Sequence, residues 1–131
     1  MPSERQYRES FECNPTEVRR ARKAIAAFAQ SWLVGTAASD FESAVGEALS
    51  NAINHGHCKR VNVACRFVRQ AVVAEIQQQN GAAFEPPANF EPPAVGAAGG
   101  YGLFIMRSVL DELEYHEHGR RVRLVKRAAR A

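Results

Sequence analysis

The stretch Glu47-Ala48-Leu49-Ser50-Asn51-Ala52-Ile53-Asn54-His55-Gly56 joins an apolar stripe to a row of polar side chains. At 3.6 residues per turn, the polar positions fall within about a third of a turn on one side of a predicted helix. These positions are Glu47, Asn51, Asn54 and His55. A solvated helix face is the ordinary explanation for such a row. Because this row contains no lysine or arginine, its amide and carboxylate oxygens favour a site for a cation and a phosphate.

The residues ahead of this stretch predict a first helix that begins near Pro15. Asn14 can cap this helix, proline suits its first position, and Glu17 can return a hydrogen bond to the cap. Apolar residues then recur at helical spacing, and Gly35 is placed to end the helix in a left-handed conformation.

Two further helices are predicted. The second helix carries the polar row; it begins at a capping-box pattern of Ser39 and Glu42 and ends around His55 and Gly56. The third helix opens at Gly100-Tyr101-Gly102, and its apolar residues share one face: Leu103, Met106, Leu110 and Leu113. The first backbone amides of the third helix form a position to which the helix dipole draws phosphate.

Alternation of apolar with polar or small residues predicts the strands. They are a possible edge strand at 8–13, then 61–67, 72–76, 113–117 and 121–126. Turns at Arg69-Gln70 and at His118-Gly119 join the last four into two hairpins. The order of elements predicts an α+β fold, a two-layer sandwich in which a mixed or antiparallel sheet is covered on one face by three helices.

Residues 80–100 differ in composition from the rest of the chain. Phe84-Glu85-Pro86-Pro87 recurs there as Phe90-Glu91-Pro92-Pro93, and no helix or inner strand tolerates that density of proline. A disordered connector would explain this composition. Long loops inside compact domains often cover sites, however, so we favour a flexible lid over residues 81–99.

One domain spanning residues 1–131 is expected, because a chain of 131 residues with 46% hydrophobic content can bury one core but not two. The formal charge is +3, and the basic residues gather at 19–23 and 120–130 without interleaved aromatic residues. This pattern favours an acidic protein partner over nucleic acid.

Cysteine usage and hydropathy predict a soluble protein of the cytoplasm. Cys13, Cys58 and Cys65 are odd in number and lack C-x-x-C spacing, so neither a disulfide framework nor a zinc knuckle is expected. The first residues lack the apolar core of a signal peptide, and no run reaches the roughly 18 apolar residues of a membrane span.

The order and spacing of these motifs resemble the GHKL ATPase family, in particular the small anti-sigma-factor serine/threonine kinases of bacterial partner switching. Residues Glu47 to His55 look like the N box of that family. Gly100-Tyr101-Gly102-Leu103-Phe104-Ile105-Met106, followed by Asp111, looks like its second glycine box. The resemblance covers nearly the whole chain and implies the Bergerat ATP-binding fold.

The resemblance implies that ATP and Mg²⁺ are the cofactors, that Glu47 is the general base and that Asn51 binds the metal. It also implies a set of nucleotide-binding residues: Asn51, His55, Gln79, Gly81, Gly100, Gly102 and Leu103. The implied partners are an anti-sigma-factor antagonist, which receives the γ-phosphate, and a sigma factor. Relatives often dimerise, which leaves a homodimer open; direct contact with nucleic acid or membrane is not implied.

The chain departs from the family pattern where an aspartate normally accepts a hydrogen bond from the adenine amino group. Counted back from Phe84, Gln79 stands at the aspartate position, and Ala83 replaces the second of two glycines that follow it. A glutamine carbonyl can still accept from an amino group but lacks the charge, and Asn80 could serve if the strand slips by one. Two hypotheses therefore stand: a kinase, and a non-catalytic partner-binding regulator of the same fold with weak or lost ATP binding.

Overall fold

The computed structural model describes residues 5–56, 58–79 and 101–128. Its helices are α1 (Pro15–Ala29), α2 (Gly35–Asn51) and α3 (Tyr101–Val109), and its strands are β1 (Gln6–Glu12), β2 (Arg60–Val68), β3 (Ala71–Gln79), β4 (Glu112–His116) and β5 (Arg121–Arg127). This order confirms the predicted succession of elements and the α+β class, but α3 ends before Leu110 and Leu113, and Leu113 lies in β4. None of the described helices is both long and apolar enough to cross a membrane.

The described strands form one sheet in the order β1-β2-β3-β5-β4, and every neighbouring pair is antiparallel. Of the two predicted alternatives, mixed and antiparallel, the sheet is therefore antiparallel. The β2-β3 hairpin turns at Arg69 and Gln70, as predicted, with φ of 52° and 62°. Two consecutive left-handed residues are typical of a type I′ turn, whose twist suits an antiparallel hairpin.

Alternate residues of the sheet face the helices and form one core with them. The strands contribute buried apolar side chains to this core: Phe11, Val61, Val63, Val72, Ala74, Ile76, Val122 and Leu124. The helices contribute Ile25, Phe41, Leu49 and Met106 to the same cluster. Because strand side chains alternate between the two faces of a sheet, a single shared cluster places the helices on one face. The predicted two-layer arrangement is confirmed.

The ends of the first two helices differ from the prediction. Asn14 caps α1 as expected, since its side chain accepts a hydrogen bond from the Glu17 amide at 2.9 Å. The helix ends at Ala29, however, because the Ser31 and Trp32 amides donate to carbonyls three residues back, at 3.3 and 3.0 Å, and the buried Leu33 follows this tighter turn. Gly35 does have a left-handed φ of 59°, but it begins α2 instead of ending α1.

The start of α2 lies four residues before the predicted capping box. The N-cap position is occupied by Val34, which supplies no side-chain hydrogen bond. Ser39 lies inside the helix, where the preceding residues are already helical, and so does not serve as its cap.

Cys13 and Cys58 form a disulfide, although the odd number and the spacing of the cysteines predicted no disulfide framework. Cys13 follows β1 and Cys58 precedes β2, and the pairing of Glu12 with Arg60 brings these two strand ends together. The Cα atoms are 5.9 Å apart, within the usual range for a disulfide. The separation of 45 residues gave no local signal of this contact. Cys65 is a free, buried thiol.

Candidate functional site

Glu47 and Asn51 lie one turn apart near the end of α2, at the edge of the helix face that enters the core. Their neighbours Ala48 and Leu49 are buried in the core, whereas Glu47 and Asn51 are themselves only half-buried. Neither polar side chain makes a hydrogen bond or ion pair with another described residue. Among the described residues, the carboxylate and the amide are therefore without a hydrogen-bonding partner.

The polar row does not continue along a regular α-helix. From Ala52 to Gly56 the chain widens into a π-helical segment, so the 3.6-residue period assumed for the row fails after Asn51. Asn54 is exposed, and the side chain of His55 lies outside the described atoms. Short π-helical segments occur frequently at functional sites, but this one separates Asn54 from the side that carries Glu47 and Asn51.

A small cavity lies between the end of α2 and the sheet. Its volume is about 20 Å³, room for about one water molecule. Its helix side is formed by Ala48, Asn51 and Ala52. Its sheet side is formed by Ile76 and Gln78 of β3, Tyr115 of β4, Val122 of β5, and Gly119 and Arg120 of the turn that precedes β5. Burial raises the pKa of Tyr115 to about 12, with Arg107 opposing the shift, so this phenol is neutral at neutral pH.

Gln78 places an unsatisfied oxygen at this cavity. Its side-chain Oε1 is buried and accepts no hydrogen bond, whereas its backbone amide donates to the Arg120 carbonyl at 2.8 Å and fixes the strand there. A buried acceptor without a donor costs free energy, and in native structures it often marks a ligand or water position. Sequence analysis did not single out Gln78. The alternation Val72, Ala74, Ile76 already assigns position 78 to the helix-facing side of β3.

Gln79, the residue expected to contact the nucleotide, lies on the other face of the sheet. Its Nε2 donates a hydrogen bond to Asn62 Oδ1 at 2.9 Å, and this contact is exposed. The structure therefore brings together Asn51 and Gln78, but not Asn51 and Gln79. The assignment of Gln79 to the nucleotide, made by counting back from Phe84, stays a prediction.

The second glycine box begins α3, whose backbone includes Gly102 and Leu103. This helix packs against α2, and Met106 is fully buried between the helices and the sheet. Gly81, Gly100, Asn80, Ala83 and the predicted lid at 81–99 lie outside the described residues. Within the described ranges, no group of three or more histidine, cysteine, aspartate or glutamate side chains could hold a metal ion.

Comparison with known proteins gives a matching family and solved structures of similar fold. The model of the family described as "Histidine kinase-like ATPase domain" matches residues 11–126. The solved structure of the RsbU and RsbW domains of Rv1364c from Mycobacterium tuberculosis is similar, with a TM-score of 0.65 and 14% identity. That match covers 96% of this chain and 33% of the other, so the chain spans about a third of that polypeptide. No curated protein matches.

Proposed function

The chain belongs to the histidine kinase-like ATPase domain family, and on this premise we propose that it is an anti-sigma-factor-type kinase. It binds Mg-ATP and transfers the γ-phosphate to a serine or threonine hydroxyl of a protein antagonist. In its other complex it sequesters a sigma factor. The proposal rests on the family, on the resemblance of two sequence boxes to those of such kinases, and on the geometry of α2.

The observation that carries the proposal is the pair Glu47 and Asn51. Both side chains are half-buried, one turn apart, and without partners among the described residues. A purely structural helix would more commonly place apolar residues, or polar residues with partners, at the edge of its core-facing side. The pair fits a magnesium nucleotide, since an amide oxygen is a ligand that Mg²⁺ accepts alongside phosphate oxygens and water.

The residues then have separate tasks. Asn51 Oδ1 is the protein ligand for the metal, and Glu47 orients or deprotonates the acceptor hydroxyl. The backbone amides at the start of α3, at Gly102 and Leu103, lie where the helix dipole favours phosphate. Gly81, Gly100 and His55 complete the proposed nucleotide contacts. Phosphoryl transfer depends mainly on positioning and electrostatics, so few catalytic side chains are needed.

A second function is favoured by one observation at the cavity. The side chains that line it include no carboxylate in the described part of the chain, and the acceptor there is the neutral amide of Gln78. A neutral acceptor binds an amino group less strongly than a carboxylate does. A regulator that binds its partner without phosphoryl transfer would tolerate this weaker binding of the nucleotide.

Calorimetric titration with ATP and Mg²⁺ tests nucleotide binding. We expect micromolar affinity that falls at least about tenfold in Asn51→Ala, because even the loss of an outer-shell partner of a metal typically costs about 10–100-fold. Asn54→Ala is the matched control, because it removes the same amide from an exposed position in the next turn. Equal losses in both variants, or no heat from the folded wild-type protein, would contradict the assignment of Asn51.

Glu47→Gln separates the kinase from the regulator. Single-turnover release of phosphate from γ-labelled ATP, with water as the acceptor, should fall about 100-fold or more while ATP affinity changes little, because a general base contributes ~10²–10⁴ to the rate. Unchanged release in a variant that still binds ATP would contradict the assignment of Glu47, whereas a wild-type protein that binds ATP without releasing phosphate would favour the non-catalytic regulator.

A further inference from the structure

We infer that Lys126 is a positioning residue for the nucleotide phosphates and that it acts through α3. The inference rests on the proposed nucleotide binding and deepens it, because it adds a residue that works without touching the nucleotide. In the sequence, Lys126 is only one of the basic residues gathered at 120–130.

Lys126 lies on the helix-facing side of β5, where the neighbouring side chains are apolar. Val122 and Leu124 of this side are buried in the core, and the two-residue period of a strand gives Lys126 the same orientation. Its side chain is only 17% exposed. A largely buried ammonium group needs polar partners, because burying a charge without them is costly.

The partners of Lys126 belong to two different helices. Its Nζ donates a hydrogen bond to the carbonyl of Val109, the last residue of α3, at 2.5 Å. The same nitrogen lies 3.9 Å from Oδ2 of Asp40 in α2. The final carbonyls of a helix have no partner within the helix, and the helix dipole favours a cation there. One side chain of β5 therefore joins the C-terminal end of α3 to α2.

The residues that follow α3 are bonded to β5 on both sides of Lys126. The Asp111 amide donates to the Val125 carbonyl at 2.9 Å, and Asp111 Oδ2 accepts from the Arg127 amide at 2.6 Å. These bonds attach the chain to the sheet just beyond the end of α3. Lys126 extends this anchor to the helix itself.

The opposite end of α3 is where the nucleotide phosphates are proposed to bind. With nine residues, α3 has a length of about 13 Å, so a tilt of about 5° around its anchored end would move its first amides by about 1 Å. A misplacement of about 1 Å far from the mutated residue can cost an enzyme about 100-fold in rate. Because a helix this short is marginal by itself, its direction depends on contacts such as that of Lys126.

Binding of ATP and of adenosine, which lacks phosphates, tests the inference in Lys126→Met. This variant keeps an unbranched side chain and removes the ammonium group. We expect ATP to bind about tenfold more weakly, the equivalent of one hydrogen bond to a charged group, while adenosine affinity stays within about twofold of wild type. Ligand-observed NMR measures both affinities, including weak ones. Lys126→Arg keeps a cation at the end of α3 and should recover most of the ATP affinity.

Arg123→Met is the matched control, because it removes a cation from the opposite face of the same strand. Arg123 bonds to Glu112 and Glu114 of β4, at 3.5 and 3.2 Å, so its loss can lower stability but should leave the ratio of ATP to adenosine affinity unchanged. Asp40→Asn is a second variant, which retains Lys126 and weakens only its link to α2. ATP affinity should fall by a smaller factor there, again without loss of adenosine binding.

An unchanged ratio in folded Lys126→Met, whether both affinities fall equally or neither falls, would overturn the inference while ATP binding and the proposed function stand. The same change of ratio in Arg123→Met would also overturn it, because a general loss of stability would then explain the effect. If Lys126→Met does not fold, an unchanged ratio in Asp40→Asn overturns the inference in its place. A wild-type protein that binds no ATP would remove both the inference and the proposed function.

Discussion

Gln78 and Gln79 are consecutive residues of β3, yet their side chains lie on opposite faces of the sheet. Gln79 bonds to Asn62 on the exposed outer face, and the Gln78 oxygen is buried at the cavity beside Asn51. Two chemically identical side chains thus have different environments for one reason, the two-residue period of a strand. The helix-facing member of the pair is the one that can meet a ligand held by α2.

The disulfide between Cys13 and Cys58 is expected to contribute strongly to stability. It closes a loop of 45 residues, and a loop of that length restricts the unfolded chain by about 4 kcal/mol. The double variant Cys13→Ser/Cys58→Ser should therefore lose about that much free energy of unfolding in a urea titration. Reductant should destabilise the wild-type protein by a similar amount and leave the double variant unaffected. A wild-type protein insensitive to reductant would show that the two thiols are unpaired in solution.

The remaining thiol, Cys65, should be unreactive until the protein unfolds. It is 3% exposed on β2, and desolvation raises its pKa to about 12, so at pH 8 only ~1 in 10,000 molecules carries the reactive thiolate. Mass spectrometry after iodoacetamide treatment should find no adduct on the native protein, one after unfolding, and three after unfolding with reductant. More than one adduct on the unfolded, unreduced protein would argue against the Cys13 to Cys58 bond.

Local signals account for most of what the sequence predicted. The cap at Asn14 and the turn at Arg69-Gln70 are decided by a few neighbouring residues, and the structure confirms both. The strands follow from alternation, because each must bury one face. The resemblance to the GHKL family extended these signals to the whole fold, and the family comparison bears it out.

The errors share a different cause, since each depends on contacts that no short window contains. The Cys13 to Cys58 bond needs the register of β1 against β2, which pairs Glu12 with Arg60. The early end of α1 depends on Leu33 entering a core built from other elements. In the candidate site no such contact was needed, because the polar row locates α2 and the alternation of Val72, Ala74 and Ile76 already assigns Gln78 to the helix-facing side of β3.

Arg20 should make stability depend on pH in the acid range. Its guanidinium bonds to Glu9 of β1 and Glu17 of α1, each at 2.9 Å. The pKa of Glu9 is lowered by a hydrogen bond from Tyr7 and then by Arg20, and the pKa of Glu17 is lowered mainly by Arg20. A carboxyl group whose pKa is lower in the folded protein than in the unfolded chain stabilises the fold at pH values above its ordinary pKa. This stabilisation is lost as the pH falls through the pKa of the folded state.

Arg20→Gln should therefore be less stable at neutral pH and should lose less stability on acidification from about pH 5 downward, measured as the urea midpoint against pH. Arg19→Gln is the control, because Arg19 is exposed and has no ion pair with another described residue. Parallel pH profiles for wild type and Arg20→Gln would show that these ion pairs do not persist in solution.

Gly35 and Gly46 should respond in opposite directions to the same substitution. Gly35 has a φ of 59°, and an alanine there meets no atom within 4 Å but must adopt the left-handed conformation, at a cost of about 1–2 kcal/mol. Gly46 lies in the middle of α2, where alanine gains up to about 1 kcal/mol of helix propensity. Its new Cβ would come within 3.2 Å of Arg22 Cδ, a flexible side chain that can move aside. Urea midpoints should fall for Gly35→Ala and hold or rise for Gly46→Ala. A rise for Gly35→Ala would mean that α2 does not begin with a left-handed residue in solution.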